Sequence, residues 1–249
     1  MKNNRTLLIS LIAVVALFIG AIIFIPQLTK KSDGDQPTVS TNVDLSKYDL
    51  NKVIPASDDN GGIADHVKGD LETAKIVLFE YADYQCSACA LFQSWLEELV
   101  KEYDGELAVV FRTYPLTSIH PSAIAAASAV EAAGLQGYWA EMGDLLFANQ
   151  AEWSAAKNVA SRTEYFVNYF TTVSKGKGDV DKFKSDLAGD SVKAKVYFDK
   201  AIAESFKLTA TPSFMDSEGN EIDFTEGVEQ TKSGIMNFFR NYLNKKLGK

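Results

Sequence analysis

Two cysteines and two histidines are all that 249 residues contain of these types. Their scarcity bounds the chemistry. A closed zinc site needs four nitrogen or sulfur ligands, and only His66 and His120 could join the cysteine pair, neither at zinc-knuckle spacing. With no third cysteine there is no framework of disulfides to staple the chain, and no further thiol with which the pair could mispair. Basic charge is also short. The formal net charge is -8, and residues 1–35 hold four cations against two anions, so the remainder carries 21 basic and 31 acidic groups. A body of net charge -10 lacks the Lys and Arg clusters that nucleic-acid phosphates require, so no nucleic-acid partner is expected.

One apolar run stands out. Leu7 to Ile25 is 19 residues without a charge, which at about 1.5 Å per helical residue matches the thickness of a bilayer core. No Ala-x-Ala pattern and no lipid-accepting cysteine follows it, so an uncleaved signal anchor is expected rather than a cleaved signal peptide. Lys2 and Arg5 favour a cytoplasmic N-terminus, with residues 1–26 as tail and transmembrane helix and the body outside the cytoplasm, where disulfides persist. Residues 27–62 are rich in Ser, Thr, Asp, Asn and Gly and read as an extracytoplasmic linker.

The two cysteines are spaced for one purpose. Cys86-Ser87-Ala88-Cys89 lies between the apolar run Ile76-Val77-Leu78-Phe79 and an amphipathic segment reaching Tyr103. A strand leading into a Cys-x-x-Cys that opens a helix brings two sulfurs within bonding distance, the geometry of a thiol–disulfide redox centre. Unpaired N–H groups and the positive end of the helix dipole favour a thiolate at Cys86, while Cys89, one turn in, is expected to be more buried and to resolve. A half zinc site and an inert structural disulfide are the competing readings.

The folded body is expected over residues 63–249. Lys75 to Tyr81 reads as a strand covered on both sides. Phe92, Trp95, Leu96, Leu99 and Tyr103 form one buried helical stripe, and Leu107 to Phe111 is a second strand. After Tyr114-Pro115 an all-helical insertion is expected over about 117–206, with helices near 121–133, 137–149, 161–174 and 179–206. Strand character returns at Ser213-Phe214-Met215, Glu221 to Phe224 is its expected hairpin partner, and an amphipathic helix closes the chain from about Gln230 to Leu247. The order is βαβ, helical block, ββα, an α/β fold.

The segment Phe79-Glu80-Tyr81-Ala82-Asp83-Tyr84-Gln85-Cys86-Ser87-Ala88-Cys89, with Thr211-Pro212 before the second strand region, resembles the DsbA-like thioredoxin family, notably its membrane-anchored bacterial members. Phe111-Arg112-Thr113-Tyr114-Pro115-Leu116 and His120-Pro121 through Leu146 are similar to that family's entry into its helical insertion, and the likeness covers roughly residues 64 to 245. The resemblance implies a thioredoxin-like fold in which Cys86 attacks, Cys89 resolves and a cis Thr211–Pro212 peptide faces them. Thr211, Pro212, Ser87, Ala88 and Tyr84 would border the substrate, and Glu80 would be a buried acid exchanging a proton with Cys89. The sequence departs from the family in its Ser-Ala dipeptide and in Ala210 where glycine often stands, and both departures bear on redox potential.

The resulting expectation is an extracytoplasmic, membrane-tethered thiol–disulfide oxidoreductase that introduces disulfides into exported proteins. It needs no cofactor beyond the redox-active disulfide Cys86–Cys89. Its expected partners are cysteine-containing exported proteins, a membrane or soluble redox partner that recycles the dithiol, and the bilayer through residues 7–25. The alternatives are a reductase or isomerase of the same fold, or a redox-inert peptide-binding adaptor or chaperone.

Overall fold

The structure, a computed structural model, describes residues 43–249. The expected signal anchor and the first part of the expected linker lie outside them. Among the described residues no helix is long and apolar enough to cross a membrane.

Four strands form one sheet in the order β1-β3-β2-β4, with β1 His66–Lys68, β2 Ile76–Ala82, β3 Leu107–Thr113 and β4 Ser213–Asp216. β2 and β3 are parallel, with Leu78 opposite Val109 and Glu80 opposite Phe111, and helix α1 (Ser87–Glu102) connects them. β1 and β4 run antiparallel at the two edges. All seven residues of β3 are buried, which fits a continuous apolar run between two covered faces. The expected hairpin partner at Glu221 to Phe224 is only a single bridge, Met215 to Glu221, with Ile222 N–H donating to Phe214 O at 2.8 Å. The short strand β1 was not expected, since His-Val-Lys has neither an apolar run nor full burial.

Alternation along the strands sorts the packing. Leu78, Val109 and Phe214 face α1 and the C-terminal helix α8 (Lys232–Leu247), where Leu96, Leu99, Met236 and Phe239 complete a core. Phe79, Tyr81, Val110 and Met215 face the other way, onto Phe198 and Ile202 of α7 (Asp190–Ser205) and onto Ile54. Between β3 and β4 the chain makes α2 (Ala123–Gly134), α3 (Trp139–Ala148), α4 (Gln150–Ser154), α5 (Val159–Val173), α6 (Val180–Leu187) and α7. Ala126, Ala127, Ala129, Ala132 and Ala133 let α2 sit close against its neighbours in a third core that also holds Cys86 and Cys89.

Residues 43–62 differ from a spacer. Ile54 is buried, Leu45, Tyr48, Leu50 and Val53 pack against the same cluster, and Asn60 is fully enclosed. Their polar composition hid an anchor that works through backbone atoms. The Arg112 guanidinium donates to the carbonyls of Leu50 at 2.6 Å and Lys52 at 2.8 Å, to Tyr81 Oη at 2.9 Å and to Asp65 Oδ2 at 2.8 Å. Lys195 Nζ donates to Asp65 Oδ1 at 3.0 Å and Asp199 Oδ1 at 2.8 Å, and Asp199 Oδ2 accepts from Thr113 N–H at 3.1 Å. Two buried cations thus meet two buried carboxylates, and all their partners come from the N-terminal segment, β2, β3 and α7. Burial alone would lower the Lys195 pKa, but Asp199 and Asp65 overcome it and hold the ammonium charged.

Removing one partner of a buried ion pair leaves an uncompensated charge and costs about 3–5 kcal/mol. Lys195→Met should destabilise the protein by that amount in urea unfolding. The double variant Lys195→Met with Asp199→Leu should recover part of the loss, since it removes a charge rather than orphaning it.

Candidate active site

The site is built where β2 hands over to α1. Cys86 is the N-cap of α1, in extended conformation with φ -76 and ψ 121. Within the turn before it, Asp83 makes several of the bonds. Its backbone carbonyl accepts from Cys86 N–H at 3.0 Å, and its carboxylate takes Gln85 N–H at 2.7 Å, an Asx turn. Oδ2 of the same carboxylate accepts from Leu116 N–H at 2.8 Å and pairs with His120 Nδ1 at 2.8 Å. His120 therefore secures the turn from outside the catalytic pair.

The two sulfurs sit at different depths. Cys86 keeps 8 % of its surface and Cys89 none, and both are free thiols. Opposite them the Thr211–Pro212 peptide is cis, and in its thiol form Cys86 Sγ donates to the Thr211 carbonyl at 3.3 Å. Pro212 borders a groove of about 480 Å³ that runs over Ala210, Ser213, Glu221, Ile222 and Phe224.

Depth and dipoles separate the sulfurs chemically. A hydrogen bond from the Cys89 thiol holds the Cys86 pKa down at about 5; burial opposes this, and the Thr211 side chain and the N–H groups of Cys89 and Ala88 reinforce it. Burial pushes Cys89 well above an ordinary thiol, and the neighbouring Cys86 sulfur adds to the effect. At neutral pH one sulfur is thus a thiolate and the other a thiol, the asymmetry that thiol–disulfide exchange uses.

Glu80 lies on the α1 face of β2, since it alternates with Phe79 and Tyr81 and shares that face with Leu78. It is 1 % exposed, and its Oε2 has no hydrogen-bond partner among the described residues. Burial raises its pKa to about 7, moderated by the Lys68 ammonium. Lys68 reaches this region from edge strand β1 and also contacts Glu97 at 3.2 Å, Asp144 at 3.6 Å and the face of Trp139.

A thioredoxin family model matches residues 63–235. The chain belongs to the thioredoxin family. It is 30% identical over 192 residues to the Na(+)/H(+) antiporter NhaA 3 of Salinispora tropica, covering 76% of this chain and 26% of that protein. The chain thus spans about a quarter of the length of the curated relatives it matches. Among solved structures, a cysteine variant of alpha-DsbA1 from Wolbachia pipientis superposes with TM-score 0.58 at 23% identity, over 80% of this chain and 96% of that one. BdbD from Bacillus subtilis superposes with TM-score 0.59 at 15% identity, over 79% and 98%. The thioredoxin-like fold with its helical insertion is therefore of the DsbA-like kind.

Within this member of the thioredoxin family, Ser87 is exposed and Ala88 half-buried beside Cys86, and Thr211, next to the buried Pro212, faces Cys86. Tyr84, expected at the substrate surface, is corrected by its burial. Only 2 % of it is exposed, its ring packs between Phe111 and Phe147, and its hydroxyl lies against Gly143, so it belongs to the insertion core. Asp83, Gln85, His120, Lys68 and Gln150 were not singled out as site residues in the sequence. Only the closeness of Asp83 and Gln85 to Cys86 could have drawn attention to them, because the others reach the turn from distant elements.

A carboxyl held at about 7 when folded and near 4.5 when unfolded keeps a proton that the unfolded chain loses, so its contribution to stability falls as pH rises between these values. The full span amounts to about 3 kcal/mol. Glu80→Gln should accordingly be more stable than the parent at pH 8 by up to that amount, with the difference vanishing by about pH 4. Urea titrations across pH read this directly.

Proposed function

We propose that the chain is a protein thiol–disulfide oxidoreductase whose physiological direction is oxidation, and that Cys86 and Cys89 are its only redox group. The observation that carries this reading is the opposed poise of the two sulfurs, Cys86 low at about 5 and Cys89 high. Whatever stabilises the Cys86 thiolate stabilises the reduced form, which makes the disulfide a better electron acceptor.

In the oxidising cycle a client thiolate attacks Cys86 Sγ of the disulfide, the sulfur–sulfur bond breaks, and Cys89 leaves as a thiolate. That buried thiolate takes up a proton, for which Glu80, poised near neutrality on the same face of the sheet, is the donor. A second client thiolate then attacks the client sulfur of the mixed disulfide and expels Cys86. The client has lost two electrons, its thiol protons having gone to solvent, and the enzyme holds those electrons as the Cys86 thiolate and the Cys89 thiol until a separate redox partner reoxidises it; Glu80 regains its proton from solvent. Client segments run along the groove beside Pro212, and Thr211, Ser87 and Ala88, the chain neighbours of Pro212 and Cys86, would border them. The uncharged run Leu7 to Ile25 would tether this chemistry to the extracytoplasmic face of the membrane, where exported proteins meet it.

Thiolate absorbance near 240 nm should titrate at about pH 5, and equilibration with glutathione should give a potential between about -200 and -120 mV. The protein should refold a reduced, denatured disulfide substrate. A pKa of an ordinary thiol with a potential near that of cytosolic thioredoxins would make the protein a reductase, and no turnover at all would make it an adaptor.

Division of labour is tested separately. Cys89→Ala should accumulate mixed disulfides with clients on non-reducing gels, and Cys86→Ala should accumulate almost none. Equal trapping would remove the assignment of roles. Protease added to intact cells should degrade the body if it lies outside the membrane; protection would place it inside.

A further inference from the structure

The turn that carries Cys86 is held by more than its own residues. Gln150, the first residue of α4, donates from one nitrogen, Nε2, to the carbonyls of Tyr84 and Cys86, each at 2.8 Å. Between these two carbonyls, the side chain of Gln85 accepts from Ser122 N–H at 2.8 Å. The helical insertion therefore grips the turn from two sides.

We propose that Gln150 is a positioning residue for the attacking sulfur, its carboxamide tying together the two carbonyls that flank Gln85 and so fixing the backbone of Cys86 at the mouth of α1. Two carbonyl oxygens that both lie 2.8 Å from one nitrogen are close, like-charged dipole ends with nothing else between them. Without a donor they repel, and the turn opens. Among the described residues the Cys86 carbonyl has one other partner, Ala90 N–H at 3.2 Å. As the turn opens, Cys86 leaves the cap conformation that aligns its sulfur with the N–H groups of Ala88 and Cys89 and with Thr211. Reactivity of the sulfur is then set partly from the insertion, through a residue that touches no reacting atom. This rests on Cys86 being the attacking sulfur, as proposed above.

The test compares three variants of the full chain. Gln150→Met keeps the volume and removes the donor. Gln150→Glu is isosteric and presents acceptors to acceptors. Gln136→Met is the control, because Gln136 also makes two hydrogen bonds within the insertion, to Asp179 O at 3.0 Å and from Asp179 N–H at 2.9 Å, away from Cys86. Gln150→Met should raise the Cys86 pKa by about one, with a roughly tenfold fall in the equilibrium constant against glutathione, about 30 mV. Gln150→Glu should shift both further, and it carries the test if the methionine variant fails to fold. Gln136→Met should move neither. A parental pKa and glutathione constant in both Gln150 variants, or an equal shift in Gln136→Met, would overturn the inference while leaving the functional reading intact. An ordinary thiol pKa in the parent would overturn that reading, and this inference with it.

Discussion

Helix α1 begins four residues after β2 ends, and the turn between them must be rigid if a sulfur at its start is to differ from one a single helical turn later. That rigidity comes from outside the turn. Asp83 gathers Gln85 N–H, Leu116 N–H and His120 around one carboxylate, and its carbonyl takes Cys86 N–H. Because β2 is the central strand, paired on both sides, its end cannot move independently of β3 and β4. The same pairing brings Thr211, just before β4, to within a sulfur hydrogen bond of Cys86. Sheet order thus delivers both halves of the site, and the insertion finishes it.

Stability and chemistry pull against each other behind this turn. Glu80 is buried without a partner for Oε2, which costs the fold whenever the carboxyl is ionised. An apolar residue there would pack at no such penalty, yet could not be the proton donor proposed for Cys89. The opposite face of the sheet shows the other solution to buried charge. Asp65, Arg112, Lys195 and Asp199 are satisfied by one another and by backbone groups, and they join the N-terminal segment to α7. Paired charge holds the fold on one face, and the carboxyl left without a partner lies on the face where the proposed proton transfer would need it.

Much of this was legible in the residues, and the limits have physical reasons. The cysteine pair follows from its Cys-x-x-Cys spacing, and the two central strands, the insertion and the closing helix follow from periodicity, because each buries a face large enough to impose a pattern on its sequence. Glu80 was identifiable from its place six residues before Cys86 within a resembling motif. The short edge strand β1 was not, since three half-buried residues leave no pattern. Residues 43–62 were misread because they are held through their carbonyls, which every sequence has, by an arginine some 60 positions away. Gln150 was hidden for a similar reason: a glutamine opening a short surface helix looks like any other until the fold sets it against Tyr84 and Cys86. Tyr84, set at the substrate border by the resemblance, is buried instead because its ring fills the space between Phe111 and Phe147 in the insertion core.

The sequence around Cys86 has no cation between Lys75 and Lys101, and on charge alone the thiolate should be poorly stabilised. The groups that lower its pKa are instead neutral: the Cys89 thiol, the Thr211 side chain and the N–H groups of Cys89 and Ala88. Dipoles act only at contact distance, so each must be placed to a fraction of an ångström, whereas a lysine could wander and still help. That explains why so many bonds are spent on a turn of a few residues. It also detaches the site from the net charge of -8, because neutral dipoles within contact of a nearly buried sulfur are neither screened by salt as surface charges are nor offset by distant carboxylates. The poise of Cys86 is therefore a property of local contact geometry, of the Cys89 and Thr211 side chains together with the backbone N–H groups.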